Sequence, residues 1–361
     1  MTRVDTVVMV GAGNIGSHLV EHLARLPGIG RLVVIDRDRY EPRNRRNQAG
    51  AAPGRKATVQ ARRARAINPD LDVIGIAADV ERVPAGLLRA SLVVSGVDNR
   101  RARVHLNQLT RWLGVPWIDA GVMADGGHAR VTRLGADPAG PCLTCVWGPR
   151  DFALIEQRLP CVKETGGRRS PAADPATGTS SGLGALAASL VALEAERVLA
   201  NPVAPNRPTD FVISADRWQS TATAWVRNPR CPTEHAVLAS GGDPVALGTR
   251  IADLVVTARR SGRSLESLGV IGARFVGQVL CRRCGMVPIA PRVLRAGDNS
   301  TPCQRCGRRA AVVGAGLMAA LDLGECDPPV FDITLATLGC ATGDLLSIHG
   351  RDETACLEVL G

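Results

Sequence analysis

The sequence VVMVGAGNIGSHL, residues 7–19, gives the clearest indication of the fold class. A short apolar run, typical of a buried strand, leads into a glycine-rich turn, and an amphipathic stretch typical of a helix follows. Gly11, Gly13 and Gly16 let the backbone approach a phosphate, and the helix N-terminus supplies N–H donors to it. Asp36 ends the next apolar run and can accept hydrogen bonds from ribose hydroxyls. The pattern predicts a Rossmann-type nucleotide site, which by itself fits a dinucleotide as well as an adenosine phosphate.

Strand-like and helix-like stretches continue to alternate along the chain. The predicted strands span 7–10, 32–35, 73–76, 92–94 and 116–120, and the predicted helices span 15–26, 55–67, 100–113 and 182–199. Further strands are predicted at 211–214 and 222–226. This alternation is typical of an α/β fold with a mostly parallel Rossmann-type sheet and helices on both faces.

Two changes in composition divide the chain. Residues 170–181 are rich in Pro, Ala, Gly, Ser and Thr, so we expect a crossover loop at about 146–181. A second change near 236–244 separates a nucleotide-binding domain, 1–237, from a C-terminal domain, 238–361. The second domain carries two Cys-x-x-Cys pairs and ends in strand-like runs at 345–348 and 355–360.

Length and composition exclude several protein classes. A chain of 361 residues with 45% hydrophobic content can bury a sizeable core, and no stretch reaches the apolar length of a membrane span. The N-terminus runs directly into the first apolar run, so we expect no signal peptide and a cytoplasmic protein. Several of the eleven cysteines form Cys-x-x-Cys pairs, which in such a protein indicate zinc rather than disulfides.

The net charge of +10 comes almost wholly from arginine, because Lys56 and Lys163 are the only lysines. This excess favours an anionic partner such as ATP, an acidic carrier protein or RNA. The arginines are dispersed and the aromatic content is 3%, so nucleic-acid binding is allowed but has no other support in the sequence.

Three features favour a triphosphate over NAD. Lys56 starts a helix and offers a compact ammonium, and Asp98 and Asn99 follow the fourth strand at the edge where ligands bind in open α/β sheets. Asp98 there can hold Mg²⁺ against the phosphates. Polar and cationic side chains then share one helical face: Arg100, Arg103 and Asn107. A solvated helix face or a helix cap remains the alternative for each.

With these residues in place, the sequence resembles the ThiF/MoeB/HesA group of ubiquitin-activating-like adenylyltransferases. The resemblance covers roughly the first 235 residues in the family's order and spacing. It rests on GAGNIGS at 11–17, VIDRDRYEPRN at 34–44, GRKA at 54–57, INPD at 67–70, DNRRAR at 98–103, PWIDAGV at 116–122, PCLTC at 141–145 and GALAASLVALEAERVL at 184–199.

The resemblance implies ATP and Mg²⁺ as cofactors and a division of roles. Gly11, Gly13 and Gly16 pack against the nucleotide, Asp36 and Asp38 hold the ribose, Lys56 contacts phosphate, and Asp98 coordinates Mg²⁺. Asn44 and Arg46 or Gln48 stand near the triphosphate, and Asn14, Asn99 and Arg103 complete the predicted set. Catalysis is assigned to Asp98, Lys56, Arg46 and Cys161.

One position departs from the family pattern. Relatives place an arginine directly before the glutamine and extend it across a homodimer interface toward ATP, whereas this chain has Asn47 there. The resemblance therefore implies a homodimer but leaves the arginine that acts across it open between Arg45 and Arg46.

The resemblance also sorts two groups of cysteines. Cys142 and Cys145 stand where the family carries half of a structural zinc site, and Cys231 with His235 takes the place of the second Cys-x-x-Cys pair. Buried apolar cysteines are the alternative. Cys161, near several cations in the crossover loop, stands where some relatives carry a cysteine that accepts the acyl group or sulfur, the alternative being an ordinary loop cysteine.

The spacing of four later cysteines predicts a zinc ribbon without help from the resemblance. Cys281 and Cys284 are separated from Cys303 and Cys306 by eighteen residues, as in a two-knuckle ribbon at 281–306. Four sulfurs leave no open coordination position, so the second zinc is expected to be structural too.

The implied activity is adenylation of a carboxylate at the C-terminus of a ubiquitin-like or sulfur-carrier protein or a ribosomal peptide, with release of pyrophosphate. Three alternatives remain: a relative that activates a carboxylate on modified tRNA, an ATP-binding but inactive scaffold subunit, and an NAD-dependent dehydrogenase.

Overall fold

The structure is a computed structural model that describes residues 4–125, 127–156, 179–201, 209–240, 242–350 and 354–361. The chain forms two compact units. The first unit comprises Met1–Val80 and Ala90–Val237, and the second comprises Glu81–Arg89 and Leu238–Gly361. Residues 81–89, which the sequence pattern places in the first domain, therefore belong to the second unit.

The first unit is built on an eight-stranded sheet. Its strands are β1 (Asp5–Val10), β2 (Ile29–Ile35), β3 (Asp72–Ile76), β4 (Leu92–Ser95), β5 (Trp117–Met123), β6 (His128–Leu134), β7 (Thr209–Ser214) and β8 (Gln219–Ala224). They lie in the order β3-β2-β1-β4-β5-β6-β7-β8. The strands β1 to β5 are parallel, and β6, β7 and β8 join by antiparallel pairing. The predicted α/β class with a mostly parallel sheet is confirmed.

Helices cover both faces of this sheet: α1 (Asn14–Arg25), α2 (Lys56–Ile67), α3 (Arg100–Leu113), α4 (Pro149–Glu156) and α5 (Ser181–Ala200). Side chains alternate along each strand, so Val7 and Met9 of β1 enter a core shared with α1, α2 and α5. The helix α3 lies on the opposite face, where its Arg103 contacts Asp119 within β5. None of the helices in the described ranges combines the length and apolar character that crossing a bilayer demands.

The sequence pattern does not predict β6. Its sequence HARVTRL includes two arginines in the seven residues, so it lacks the apolar run that identifies β1 or β4. Arg130 on this strand is held by ion pairs to Asp119 and Asp210 on the neighbouring strands. These partners are distant in sequence, so no local pattern reveals them.

The second unit contains two sheets and two helices, α6 (Ile251–Arg260) and α7 (Leu335–Leu338). One sheet has the path β10-β19-β18-β11-β17, with β9 paired to β19. Its strands are β9 (Ala239–Ser240), β10 (Val245–Ala246), β11 (Ser267–Val270), β17 (Ala320–Asp322), β18 (Leu345–His349) and β19 (Thr354–Leu360).

The other sheet is here named the ribbon and spans residues 274–318. Its strands are β12 (Arg274–Cys281), β13 (Gly285–Leu294), β14 (Ser300–Pro302), β15 (Arg309–Val312) and β16 (Leu317–Met318). Four of them lie in the order β13-β12-β15-β14, and β16 pairs with β12. Its buried core includes Val276, Val279 and Val287 and two of the four cysteines, Cys281 and Cys303.

Candidate functional site

The glycine turn between β1 and α1 has the geometry of a phosphate-binding loop. Gly11 has a φ of +90°, and a side chain there would place Cβ 2.8 Å from the carbonyl oxygen of Gly96. A Cβ on Gly16 would collide with the carbonyl of Gly11, so helix and turn pack at a distance that only glycine permits. At Gly13, in contrast, a Cβ would meet nothing within 4 Å. The protein therefore packs tightly against the turn at Gly11 and Gly16. The backbone at Gly13, just before the N-terminus of α1, has open space around it.

The carboxylate of Asp36 is oriented by the backbone. Its two oxygens accept N–H donors from Ala12 and Asp38, each at 2.7 Å. Burial raises the pKa of Asp36, and the two N–H donors oppose this rise. Each oxygen keeps a lone pair, so the group can accept hydroxyl donors next to the glycine turn.

Lys56 lies at the same edge of the sheet with its ammonium almost enclosed. Its side chain is 9% exposed, and Nζ lies 3.6 Å from Asp38 Oδ2. Nζ also lies 5.8 Å from the centre of the ring of Tyr40, whose hydroxyl donates to the carbonyl of Ala12. The compact cation therefore lies in a polar setting beside the predicted ribose ligands.

Asp98 and Asn99 follow β4 beside the glycine turn, since Gly11 packs against Gly96 and Val97. The Asp98 carboxylate is exposed and accepts a hydrogen bond from Asn99 Nδ2 at 3.3 Å. Asn99 Oδ1 accepts from the backbone N–H of Ala102 at 2.7 Å, so Asn99 caps α3. One oxygen of Asp98 and the outward side of its carboxylate remain available to a cation.

Buried amides surround the start of α1. Three side-chain oxygens there have no hydrogen-bond partner within the described part of the chain: Asn14 Oδ1, Asn47 Oδ1 and Gln48 Oε1. Asn44 is buried as well, and its Oδ1 accepts from the backbone N–H of Glu41 at 2.8 Å. Unpartnered buried polar atoms are costly, so their concentration here fits a site completed by a polar ligand.

Asn47 and Arg46 point in different directions. Asn47 is buried, and its Nδ2 donates to the carbonyl of Thr179 at 3.3 Å. Arg46 is exposed and makes no hydrogen bond or ion pair with the residues that the structure describes. Arg45 is exposed too and has no such partner among the described residues, so both arginines remain candidates for the contact across a dimer interface.

The polar side chains on the predicted face of α3 interact mainly with other residues of the protein. Arg100 pairs with Asp151 at 2.6 Å, and Arg103 pairs with the fully buried Asp119 at 3.0 Å. Asn107, one helical turn after Arg103 on the same face, is buried. Proximity on a helix therefore does not bring these three groups to one ligand, and Arg103 stays a predicted nucleotide contact that already has an anionic partner.

Four potential metal ligands converge in the first unit and form what is here named the histidine cluster: Cys142, Cys145, Cys231 and His235. Their ligand atoms all lie within 4.8 Å of one another. The Sγ of Cys142 lies 3.8 Å from that of Cys145 and 3.6 Å from that of Cys231, and Cys145 Sγ lies 3.5 Å from His235 Nε2. Tetrahedral zinc with bonds of about 2.3 Å needs sulfurs about 3.8 Å apart, so the group fits zinc.

Side chains that the sequence analysis did not assign to this cluster hold its ligands. Asn107 Oδ1 accepts from the N–H of Leu143 at 2.8 Å, and its Nδ2 donates to Thr144 and Thr233 at 3.4 and 3.3 Å. One side chain thus connects the loop of Cys142 and Cys145 with the loop of Cys231 and His235. In the sequence, Asn107 stood out only as a polar member of the helical face that it shares with Arg100 and Arg103.

Arg111 is the second residue that sequence reasoning missed. It is buried and donates to carbonyls of the loop before Cys142, at 2.8 Å for both Asp137 and Gly140. Arg111 Nη2 and the Gly140 carbonyl lie 2.7 and 3.1 Å from His235 Nδ1, which leaves Nε2 to face the cysteines. Three thiolates around Zn²⁺ would carry a net negative charge, which this guanidinium offsets.

The ribbon cluster, Cys281, Cys284, Cys303 and Cys306, also has its four sulfurs within 4.8 Å of one another. Cys281 Sγ lies 3.6 Å from Cys306 Sγ, which joins the two knuckles. Four thiolates at these distances are compatible with tetrahedral zinc. Cys161, the predicted acceptor of an acyl group or sulfur, lies outside the described residues, as does Lys163.

Comparison with known proteins agrees with this geometry. The model of the ThiF family matches residues 2–236. The chain is 33% identical over 147 residues to the SAMP-activating enzyme E1 of Haloferax volcanii, covering 39% of this chain and 53% of that protein. It is 31% identical over 147 residues to the sulfur carrier protein ThiS adenylyltransferase of Bacillus subtilis, covering 38% and 43%. It is 32% identical over 159 residues to ubiquitin-like modifier-activating enzyme 5 of Branchiostoma floridae, covering 38% of each chain.

The chain thus spans about half or less of the length of these curated relatives. Among solved structures, E. coli MccB with succinimide is similar in fold, with a TM-score of 0.50 and 21% identity over 64% of this chain and 67% of that one. The family match covers well over half of the chain and includes the glycine turn, Lys56, Asp98 and the histidine cluster. The chain belongs to the ThiF family.

Proposed function

We propose that this protein uses ATP and Mg²⁺ to adenylate a carboxylate at the C-terminus of a small protein or peptide. The observation that carries the proposal is Lys56, an almost enclosed ammonium beside Asp38 at the sheet edge that also bears the glycine turn. Family membership over 2–236, and relatives named as activating enzymes and adenylyltransferases, support it.

The residues divide the work by their chemistry. The open backbone at Gly13 and the N-terminus of α1 receive phosphate, and Asp36, with Asp38 beside it, accepts from the ribose hydroxyls. Lys56 places a compact positive charge near the phosphates. Asn14, Asn44 and Gln48 lie around the start of α1, and Arg46 or Arg45 is the candidate for contact across a homodimer.

In the reaction a carboxylate oxygen of the substrate attacks the α-phosphorus of ATP. The bond between that phosphorus and the bridging oxygen to the β-phosphate breaks, and pyrophosphate leaves with the electron pair, so no proton need move. Mg²⁺, when held by Asp98, would neutralise charge that builds on the leaving pyrophosphate. The protein contributes mainly positioning and charge.

The substrate proposed here is a ubiquitin-like or sulfur-carrier protein or a ribosomal peptide, because the relatives' names include SAMP, ubiquitin-like modifier and ThiS. Cys161 stays a predicted acceptor for the activated group. Zinc at the histidine and ribbon clusters would be structural, since each cluster already supplies four ligands.

The test is ATP-dependent pyrophosphate exchange with candidate carriers ending in a free carboxylate. We expect Asp98→Asn to lower turnover about a hundredfold or more while nucleotide affinity changes little. Lys56→Arg should also lower exchange, because a planar guanidinium cannot occupy the place of an ammonium in the same enclosure.

Matched controls exist for both changes. Lys163→Arg alters the chain's other lysine, and Asp72→Asn removes an exposed carboxylate from the start of β3, at the opposite edge of the sheet. Both controls should retain exchange. Wild-type exchange in both Lys56→Arg and Asp98→Asn would refute the site, and ATP binding without exchange in the wild type would favour the inactive scaffold.

A further inference from the structure

The ribbon concentrates most of the chain's excess charge. Residues 274–318 contain eight arginines and a single acidic residue, Asp298, so this segment alone has a formal charge of +7 out of the chain's +10. Asp298 is paired with Arg82, and Arg295 is paired with Asp344. The remaining arginines of the ribbon therefore have no acidic neighbour within it.

The free arginines gather at the two knuckles. Arg282 and Arg283 lie between the first pair of cysteines, and Arg305 and Arg308 lie beside the second pair. All four are exposed, and their side chains make no hydrogen bond or ion pair with the described part of the chain. Because the cysteine sulfurs converge within 4.8 Å, the four guanidinium groups project from one small region.

An apolar row crosses the outer face of the same sheet. Met286 on β13 pairs with Leu280 on β12, and Leu280 pairs with Ala311 on β15. Leu280 is 43% and Met286 is 41% exposed, while their neighbours Val279 and Val287 point inward to the ribbon core. Directly paired residues share a face, so the row is continuous across three strands and begins next to the knuckle arginines.

We infer that this face of the ribbon, the apolar row with the knuckle arginines, is a docking surface for an acidic polypeptide segment that also carries apolar side chains. Guanidinium groups match carboxylates in geometry and charge, which favours an acidic partner. A partner with apolar side chains would also bury the exposed surface of Leu280 and Met286, which a purely ionic partner would not cover.

Two other occupants fit the surface less well. A second copy of the chain in a two-fold contact would oppose the same arginines to one another, which like-charge repulsion disfavours. RNA would find phosphate contacts but no stacking platform, because the ribbon's only aromatic residue, Phe275, is fully buried.

The experiment measures binding of labelled probes to the full chain without ATP, so that its outcome is independent of adenylation. The probes are a short peptide of glutamates interspersed with leucines, the same peptide with serines in place of leucines, and single-stranded and duplex RNA of equal charge. We expect the leucine peptide to bind about tenfold tighter than the serine peptide, and both to weaken with salt.

Paired variants separate the contributions. Arg282→Ser with Arg283→Ser should weaken both peptides about tenfold, and Arg305→Ser with Arg308→Ser should do the same. Leu280→Ser with Met286→Ser should abolish only the preference for leucine. The control, Arg259→Ser with Arg260→Ser, removes the same charge from an exposed pair on α6 and should change neither peptide. Zinc content confirms that each variant keeps the ribbon cluster.

Several results would overturn the inference. These are equal binding of the two peptides, equal losses in the α6 control, and RNA bound more tightly than the leucine peptide at equal charge. A dimer that Leu280→Ser with Met286→Ser dissociates, seen by sedimentation, would assign the face to a second copy instead.

Discussion

The histidine cluster and the ribbon cluster have similar ligands but different surroundings. In the first unit, Asn107 and Arg111 hold both ligand loops through hydrogen bonds, and the cluster lies against the large sheet domain. In the ribbon, Cys281 and Cys303 are themselves among the eight buried residues of the core, and Cys284 and Cys306 pack against it. A core that small adds little stability by itself, so bonds to a metal would supply a large share of the local stability. We therefore expect the protein scaffold to order the histidine cluster, and zinc at the ribbon cluster to contribute more to the order of its own scaffold.

The largest effect is expected from Cys303→Ser. Bound zinc should fall from about two per chain to about one, and the ribbon should lose protection from amide hydrogen exchange over 274–318. Cys142→Ser should also release one zinc, yet the surrounding strands should stay protected because Asn107 and Arg111 remain.

Cys326→Ser, which alters a cysteine outside both clusters, is the control. Equal loss of protection around the two clusters would contradict the comparison, and protein purified without any zinc would refute both sites.

An intermediate effect is expected from Asn107→Ala in the Cys303→Ser background, where only the histidine cluster can bind zinc. The change leaves the N–H of Leu143 without its acceptor, so the free energy of unfolding of the first unit should fall by roughly 1–3 kcal/mol. Zinc affinity should fall about 10- to 100-fold, as measured by competition with a chelator. Gln60→Ala is the matched control, because it removes a buried amide from α2 that donates to Tyr40 and to the carbonyl of Ala49 and contacts neither ligand loop. Unchanged affinity in Asn107→Ala would show that the metal alone orders the ligands.

The smallest effect concerns acid. Burial and the charge of Arg101 lower the pKa of His105 on α3 to about 4, and its Nε2 is buried without a partner among the described residues. The unfolded chain takes up this proton near pH 6.5, whereas the folded chain resists it until about pH 4. The stabilisation is therefore complete above pH 6.5 and is lost as the pH falls toward 4, by at most about 1.4 kcal/mol per pH unit.

His105→Gln should flatten this dependence, and His22→Gln on the exposed side of α1 should not. All five tryptophans belong to the first unit, so tryptophan fluorescence during denaturation reports on that unit alone. The ribbon contains no histidine, so a histidine substitution in the first unit has no counterpart there. The same pH slope in wild type and His105→Gln would exclude His105 as the cause.

Local patterns predicted the parts of the molecule that depend on local chemistry. The turn at 11–16, the strands on either side of it and the helix over 182–199, found as Ser181–Ala200, follow from glycine, capping and periodicity. The convergence of Cys231 and His235 with Cys142 and Cys145 was anticipated from the family resemblance, whereas spacing alone predicted the ribbon cluster.

What the sequence could not predict depends on partners far along the chain. The helical face with Arg100 and Arg103 looks free in sequence, but Asp151 and Asp119 occupy it in the fold. The strand β6 and the role of Asn107 likewise rest on contacts with segments that no periodicity connects. Charge pairing and buried amides are specified by three-dimensional neighbours, so a pattern along the chain does not reveal them.

Residues 81–89 connect two strands of the first unit but belong to the second unit, and this affects how the chain folds during its synthesis. Arg82 donates to the carbonyl of Ala296, and Arg89 pairs with Glu358, contacts separated by 214 and 269 positions in the chain. A ribosome releases this segment long before it makes those partners, so the connection between β3 and β4 cannot reach its final packing while the first sheet is being assembled. The nascent first unit therefore holds a connection between β3 and β4 whose contacts with Ala296 and Glu358 form only after those residues have been synthesised.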